Sequence, residues 1–163
     1  MLGVGNLLMG DDGIGIRVVR ELMNRRLPKG VDIVEGGTLS FQLVNFFSEY
    51  DLVIVVDAVN FGGRPGRIYK LTLDDVPVKI TGSVHDVDVF TACKVLRMAC
   101  ELPPVIIIGV EVKRIQEFAE LSPELALVVR KVVKKILRMI TPSSGRRGRI
   151  RRRRVRRLTQ SPT

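Results

Sequence analysis

Five consecutive apolar residues, Leu52-Val53-Ile54-Val55-Val56, stand between Asp51 and Asp57. A strand with one wet face alternates apolar and polar side chains. An unbroken apolar run therefore marks a strand covered on both faces, as in parallel sheets flanked by helices. Val105–Val110 is a second run of this kind. Between such strands the spacing turns helical. Apolar positions 14, 18, 19, 22 and 23 predict an amphipathic helix from Asp12 to Arg26, and Ser122-Pro123-Glu124 opens a helix reaching Ile140. Helices are also predicted over Ser40–Glu49 and from about Asp86 to Glu101, and short strands at residues 1–4 and Val31–Glu35. Met1-Leu2 leaves little strand before the first glycines, so either that strand is short or the true start lies upstream. The alternation of strands and helices predicts an α/β three-layer sandwich on a mostly parallel sheet of about five strands. One strand departs from the pattern. Residues 58–66 are too few for a parallel crossover, so Arg67–Leu73 is expected as an antiparallel edge strand.

The chain opens with Gly3-Val4-Gly5-Asn6-Leu7-Leu8-Met9-Gly10-Asp11-Asp12-Gly13-Ile14-Gly15. Glycines this dense mark backbone in unusual conformations or in close contact with something. A glycine loop entering a helix is commonly an anion cradle. Here two carboxylates occupy the place a phosphate would take, and the spacing fits neither the dinucleotide fingerprint nor the P-loop. The loop suits a cation or a proton-transfer site, and Asp11 is equally suited to cap the following helix. Asp57 closes the buried run, where a carboxylate is costly unless it is paired, hydrogen-bonded or metal-bound; capping the next turn is the plain alternative. His85, the only histidine, lies in a polar stretch with Ser83, Asp86 and Asp88. It has no core to fill there, although a lone histidine is often structural.

In open α/β sheets ligands bind at the carboxyl ends of strands, where the strand order switches. If the first and central strands are neighbours, Asp12 and Asp57 share that end. The long 74–84 connection can return His85 to it. Two carboxylates and an imidazole make an N/O donor set with coordination positions left open, as in sites that accept water or substrate.

Composition narrows the setting. The chain of 163 residues suits one domain, and it has no apolar run near the length of a membrane span and no secretory pattern. Cys93 and Cys100 are seven residues apart on a helical pattern, too far for a disulfide, and are read as buried free thiols in a reducing cytoplasm. The net charge of +10 belongs almost wholly to the nine arginines within residues 146–157. The expected organisation is thus an α/β domain over residues 1–141 and a basic, disordered tail over 142–163.

The motif G-x-G-N-x-L-x-x-D-D-G-x-G, then G-G-T, then a strand ending in V-D-A, then a Ser/Thr-containing stretch with a single His, resembles the hydrogenase maturation endopeptidases. The resemblance spans about residues 3–140. It implies an enzyme that clips a C-terminal extension from a nickel–iron hydrogenase large-subunit precursor after nickel insertion. It places metal binding and catalysis on Asp12, Asp57 and His85, with Asp12 where the family often has Glu. Nickel is expected to arrive with the substrate, with no organic cofactor. A cytoplasmic monomer is expected. The Arg-rich tail is outside the family pattern and supports the alternative reading, a nucleic-acid- or anionic-surface-binding protein. Weak RNA or anionic-membrane contact through Arg146–Arg157 is its expected secondary property. A nucleotide-binding enzyme of the same fold is disfavoured by the paired aspartates.

Overall fold

The computed structural model describes residues 1–38, 47–76 and 89–141. The predicted helix over Ser40–Glu49 lies mostly outside them, as do His85 and the Arg-rich tail. The elements in chain order are β1 (Leu2–Val4), α1 (Ile14–Met23), β2 (Val34–Gly37), β3 (Val53–Val59), β4 (Ile68–Leu71), α2 (Val89–Ala99), β5 (Val105–Glu111) and α3 (Pro123–Ile140). The five strands form one sheet in the order β2-β1-β3-β5-β4. All pairings are parallel except β4 against β5.

The side-chain alternation of β3 and β5 divides the core into two layers. Val53, Val55, Val105 and Ile107 face one side with Val89, Phe90, Ala92 and Cys93 of α2. Ile54, Val56, Ile108 and Val110 face the other, against Ile14, Val18 and Leu22 of α1 and Leu125, Val132 and Ile136 of α3. Burying each such aliphatic side chain is worth about 1.5–3 kcal/mol, which explains why the continuous apolar runs lie at the centre of the sheet. β4 is antiparallel for the reason its short connection implies. The chain leaves the top of β3, passes over the end of β5 and descends along its far side.

Two details differ from the sequence reading. β2 starts later and runs through Gly37, because its ladder with β1 pairs Val4 with Gly37. Cys93 is buried but Cys100 is exposed: Cys93 is the last buried residue of α2, and residues 97–100 are all exposed.

From β1 the chain moves outward to β2, then returns to the opposite side of β1 as β3. The strand order therefore reverses between β1 and β3. The loops leaving these two strands diverge and open a crevice at their carboxyl ends.

Candidate active site

The glycine loop is folded tightly onto this crevice. Gly5 has φ 126°, and a Cβ there would stand 1.9 Å from the Asp12 carbonyl oxygen, so only glycine lets the loop double back. The Asn6 amide donates to Asp12 Oδ2 at 2.7 Å, and the Gly5 amide donates to the Gly37 carbonyl at 3.1 Å. At the start of α1, a Cβ on Gly15 would lie 2.2 Å from the Val4 oxygen and 2.3 Å from the Val56 oxygen. The helix start is thus seated on β1 and β3 at once. Gly5 and Asp57 are the residues that follow those two carbonyls, which sets Asp12 and Asp57 at the same end of the sheet.

Asp57 is partly buried, and its Oδ1 accepts the Ala58 amide at 2.8 Å. It closes the apolar run but not the strand, which continues to Val59 because β5 pairs with it as far as Glu111. Alternation puts Asp57 on the face of Val53 and Val55, the side covered by α2, directly opposite Gly109. His85 is four positions ahead of Val89, the first residue of α2, and lies outside the described residues. Among the described residues, no three His, Cys, Asp or Glu side chains form a metal-holding group.

Asp11 does not cap α1. It is fully buried, and its carboxylate accepts the amides of Ser122 at 2.7 Å, Lys113 at 3.0 Å and Arg114 at 3.1 Å. It thereby pins the β5–α3 loop and the start of α3 to the glycine loop. Burial pushes its pKa up, but the Ser122, Arg114 and Lys113 amides outweigh that and hold it below the usual carboxylate value. The buried Ser122 hydroxyl lies beside the same carboxylate but outside hydrogen-bond geometry.

Glu111 is a further buried carboxylate, 1% exposed at the end of β5. Its Oε1 accepts the amides of Phe61 at 2.9 Å and Gly63 at 3.0 Å, mooring the loop that crosses from β3 to β4. Oε2 has no partner within hydrogen-bond geometry. Burial first, then the neighbouring Glu111 carboxylate, raise the pKa of the Tyr69 hydroxyl. In the sequence Glu111 follows directly on the Val105–Val110 run and is succeeded by a single apolar residue, Val112, a pattern that does not mark it as a buried acceptor.

A groove beside Asp12 is lined by Asn6, Leu7, Ile16, Glu35, Gly37 and Thr38. Glu35 is held at its rim by Arg20, at 2.9 Å.

The mostly parallel sheet and its flanking helices define the chain as an α/β protein, with Asp12 and Asp57 at the strand ends beside the switch point. The family model for hydrogenase maturation proteases (HycI) matches residues 16–140. The chain belongs to this family. The hydrogenase 2 maturation protease of Escherichia coli K12 is 29% identical over 88% of this chain and 90% of its own length. The solved E. coli hydrogenase-maturating endopeptidase HybD superposes with a TM-score of 0.74 at 29% identity, covering 85% of this chain and 88% of that one. The hydrogenase expression/formation protein HupD of Bradyrhizobium diazoefficiens is 44% identical over 84 residues. That match covers 51% of this chain and 43% of HupD, so the chain matches less than half of that relative's length.

Proposed function

We propose that this protein is the endopeptidase that removes the C-terminal extension of a nickel–iron hydrogenase large-subunit precursor, and that Asp12, Asp57 and His85 form its active site. The observation that carries the reading is the placement of Asp12 and Asp57 at one switch-point crevice, in a chain of the hydrogenase maturation protease family. Nickel enters as part of the substrate. Two carboxylates and an imidazole are a suitable hard and borderline donor set for a divalent ion already partly held by the precursor. Gripping that ion would fix the scissile peptide against the crevice, and the metal's charge would polarise a carbonyl or a water. No nucleophilic Ser or Cys is needed in this scheme, consistent with Cys93 buried in the core and Cys100 on the surface at the end of α2.

Asp12 Oδ2 is oriented by the Asn6 amide, which leaves Oδ1 as the oxygen to meet the ion. Gly109 pairs with Asp57 across the ladder, and a Cβ there would meet the Val59 side chain at 2.9 Å. No described helix is long and apolar enough to cross a membrane. The reading is tested by incubating the protein with nickel-loaded precursor and weighing the product by mass spectrometry. A mature large subunit plus one released C-terminal peptide supports it; an unchanged precursor mass overturns it.

A further inference from the structure

The β5–α3 loop is held with more force than its own packing explains. Lys113 to Gln116 to Glu120 are exposed, apart from the half-buried Ala119, and none of them enters either core layer. Yet the loop is fixed by the buried Asp11 carboxylate through the Lys113 and Arg114 amides. It is fixed again to the glycine loop, where the Phe118 amide donates to the Leu8 carbonyl at 2.6 Å and Gly10 bridges Ile115. This rigid mount presents three large apolar side chains to solvent: Leu8 at 62%, Ile115 at 52% and Phe118 at 86% exposure. Phe118 is also the one described residue other than glycine with a positive φ, 53°. An aromatic residue in the left-handed region is strained, and such strain persists where surrounding structure imposes it. Neither the strain nor the exposed ring stabilises this fold. Large exposed apolar side chains on two loops tied together by main-chain hydrogen bonds are the mark of an interaction surface.

We propose that Leu8, Ile115 and Phe118 form a docking platform for the folded large-subunit precursor, beside the cleavage site. The inference rests on the endopeptidase reading above. Its position argues for the substrate as occupant: Leu8 belongs to the same glycine loop as Asp12, and Asp11, the residue before Asp12, holds the platform in place. A protein touching the platform is thereby set at a fixed distance from the crevice. Glu117 and Glu120 lie within two residues of Phe118 and balance Lys113 and Arg114, so the loop carries no net positive charge to attract an anionic lipid surface. A rigid platform also avoids the ordering cost that a floppy loop would bring to binding.

The test is steady-state cleavage of nickel-loaded precursor by the full chain and by two variants, Phe118→Gly and the double variant Leu8→Ser/Ile115→Ser. Glycine accepts the positive φ at position 118, so that variant loses the ring while keeping the loop, and its Tm should match or exceed that of the parent. The expected result is a KM raised about tenfold or more with kcat within twofold. An unchanged KM in both variants overturns the platform. So does a parent protein that sediments as a dimer dispersed by Phe118→Gly at unchanged KM, which would make the surface a self-interface. Binding of the parent, but not of Phe118→Gly, to phosphatidylcholine/phosphatidylglycerol vesicles at unchanged KM would assign it to lipid and equally overturn the proposal. Failure of the parent itself to cleave would overturn the endopeptidase reading instead, so the two are separable.

Discussion

Asp11 and Asp12 are adjacent carboxylates in two environments. Asp11 is buried and spends its oxygens on three main-chain amides; Asp12 takes one amide and is partly exposed at the crevice. Removing each should therefore have opposite consequences. Asp11→Ala leaves three amides without their acceptor and should cost about 3 kcal/mol at pH 7, read from urea unfolding. Because folding lowers the Asp11 pKa, its contribution is present above the unfolded value near 4 and is lost as pH falls through the folded one. The stability gap between Asp11→Ala and the parent should accordingly narrow below about pH 4; a gap unchanged down to pH 2 would contradict the assignment. Asp12→Asn and Asp57→Asn keep shape and main-chain hydrogen bonding, so unfolding free energies should shift by under about 1 kcal/mol while cleavage falls by a factor of about 100 or more. Activity near the parent level in either would remove that residue from the site.

At the scale of elements, the decisive contact is the seat of α1 on β1 and β3. Gly15→Ala drives a methyl into two main-chain oxygens that the sheet fixes in place, and should cost about 3 kcal/mol in denaturant unfolding. A parent-like midpoint would mean the helix start is not seated there. Much of this level was legible in the sequence. The apolar runs at 52–56 and 105–110 revealed the two central strands, and the short 58–66 connection revealed the antiparallel one. Strand ends were less legible, because hydrophobic runs report burial while ladders are set by pairing. β3 outlasts its apolar run by three residues, Asp57 to Val59, and β2 extends through its glycines. Asp11 and Glu111 were misread or missed for a related reason. Their partners lie 102 to 111 and 48 to 50 residues away along the chain, and no local pattern announces an amide that far off. The position of Asp12 at the strand ends was legible because the glycine loop that contains it starts at the end of β1.

For the whole molecule, the fold supplies a crevice and two carboxylates, and the proposal assigns the metal to the substrate. The three proposed donors would leave an incomplete shell, so on this proposal free metal should bind only moderately, whereas nickel brought by the precursor would carry its remaining ligands with it. The protein would then act as a sensor of completed metal insertion: an empty precursor offers the same peptide but no ion to grip. The most direct measurement strips the protein of metal with a chelator, removes the chelator, and compares cleavage of nickel-loaded and nickel-free precursor by mass spectrometry. The account predicts cleavage of the loaded precursor and, over the same time, less than about one hundredth as much of the empty one. Equal cleavage of both would contradict it and point to a catalytic group that works without the substrate's metal.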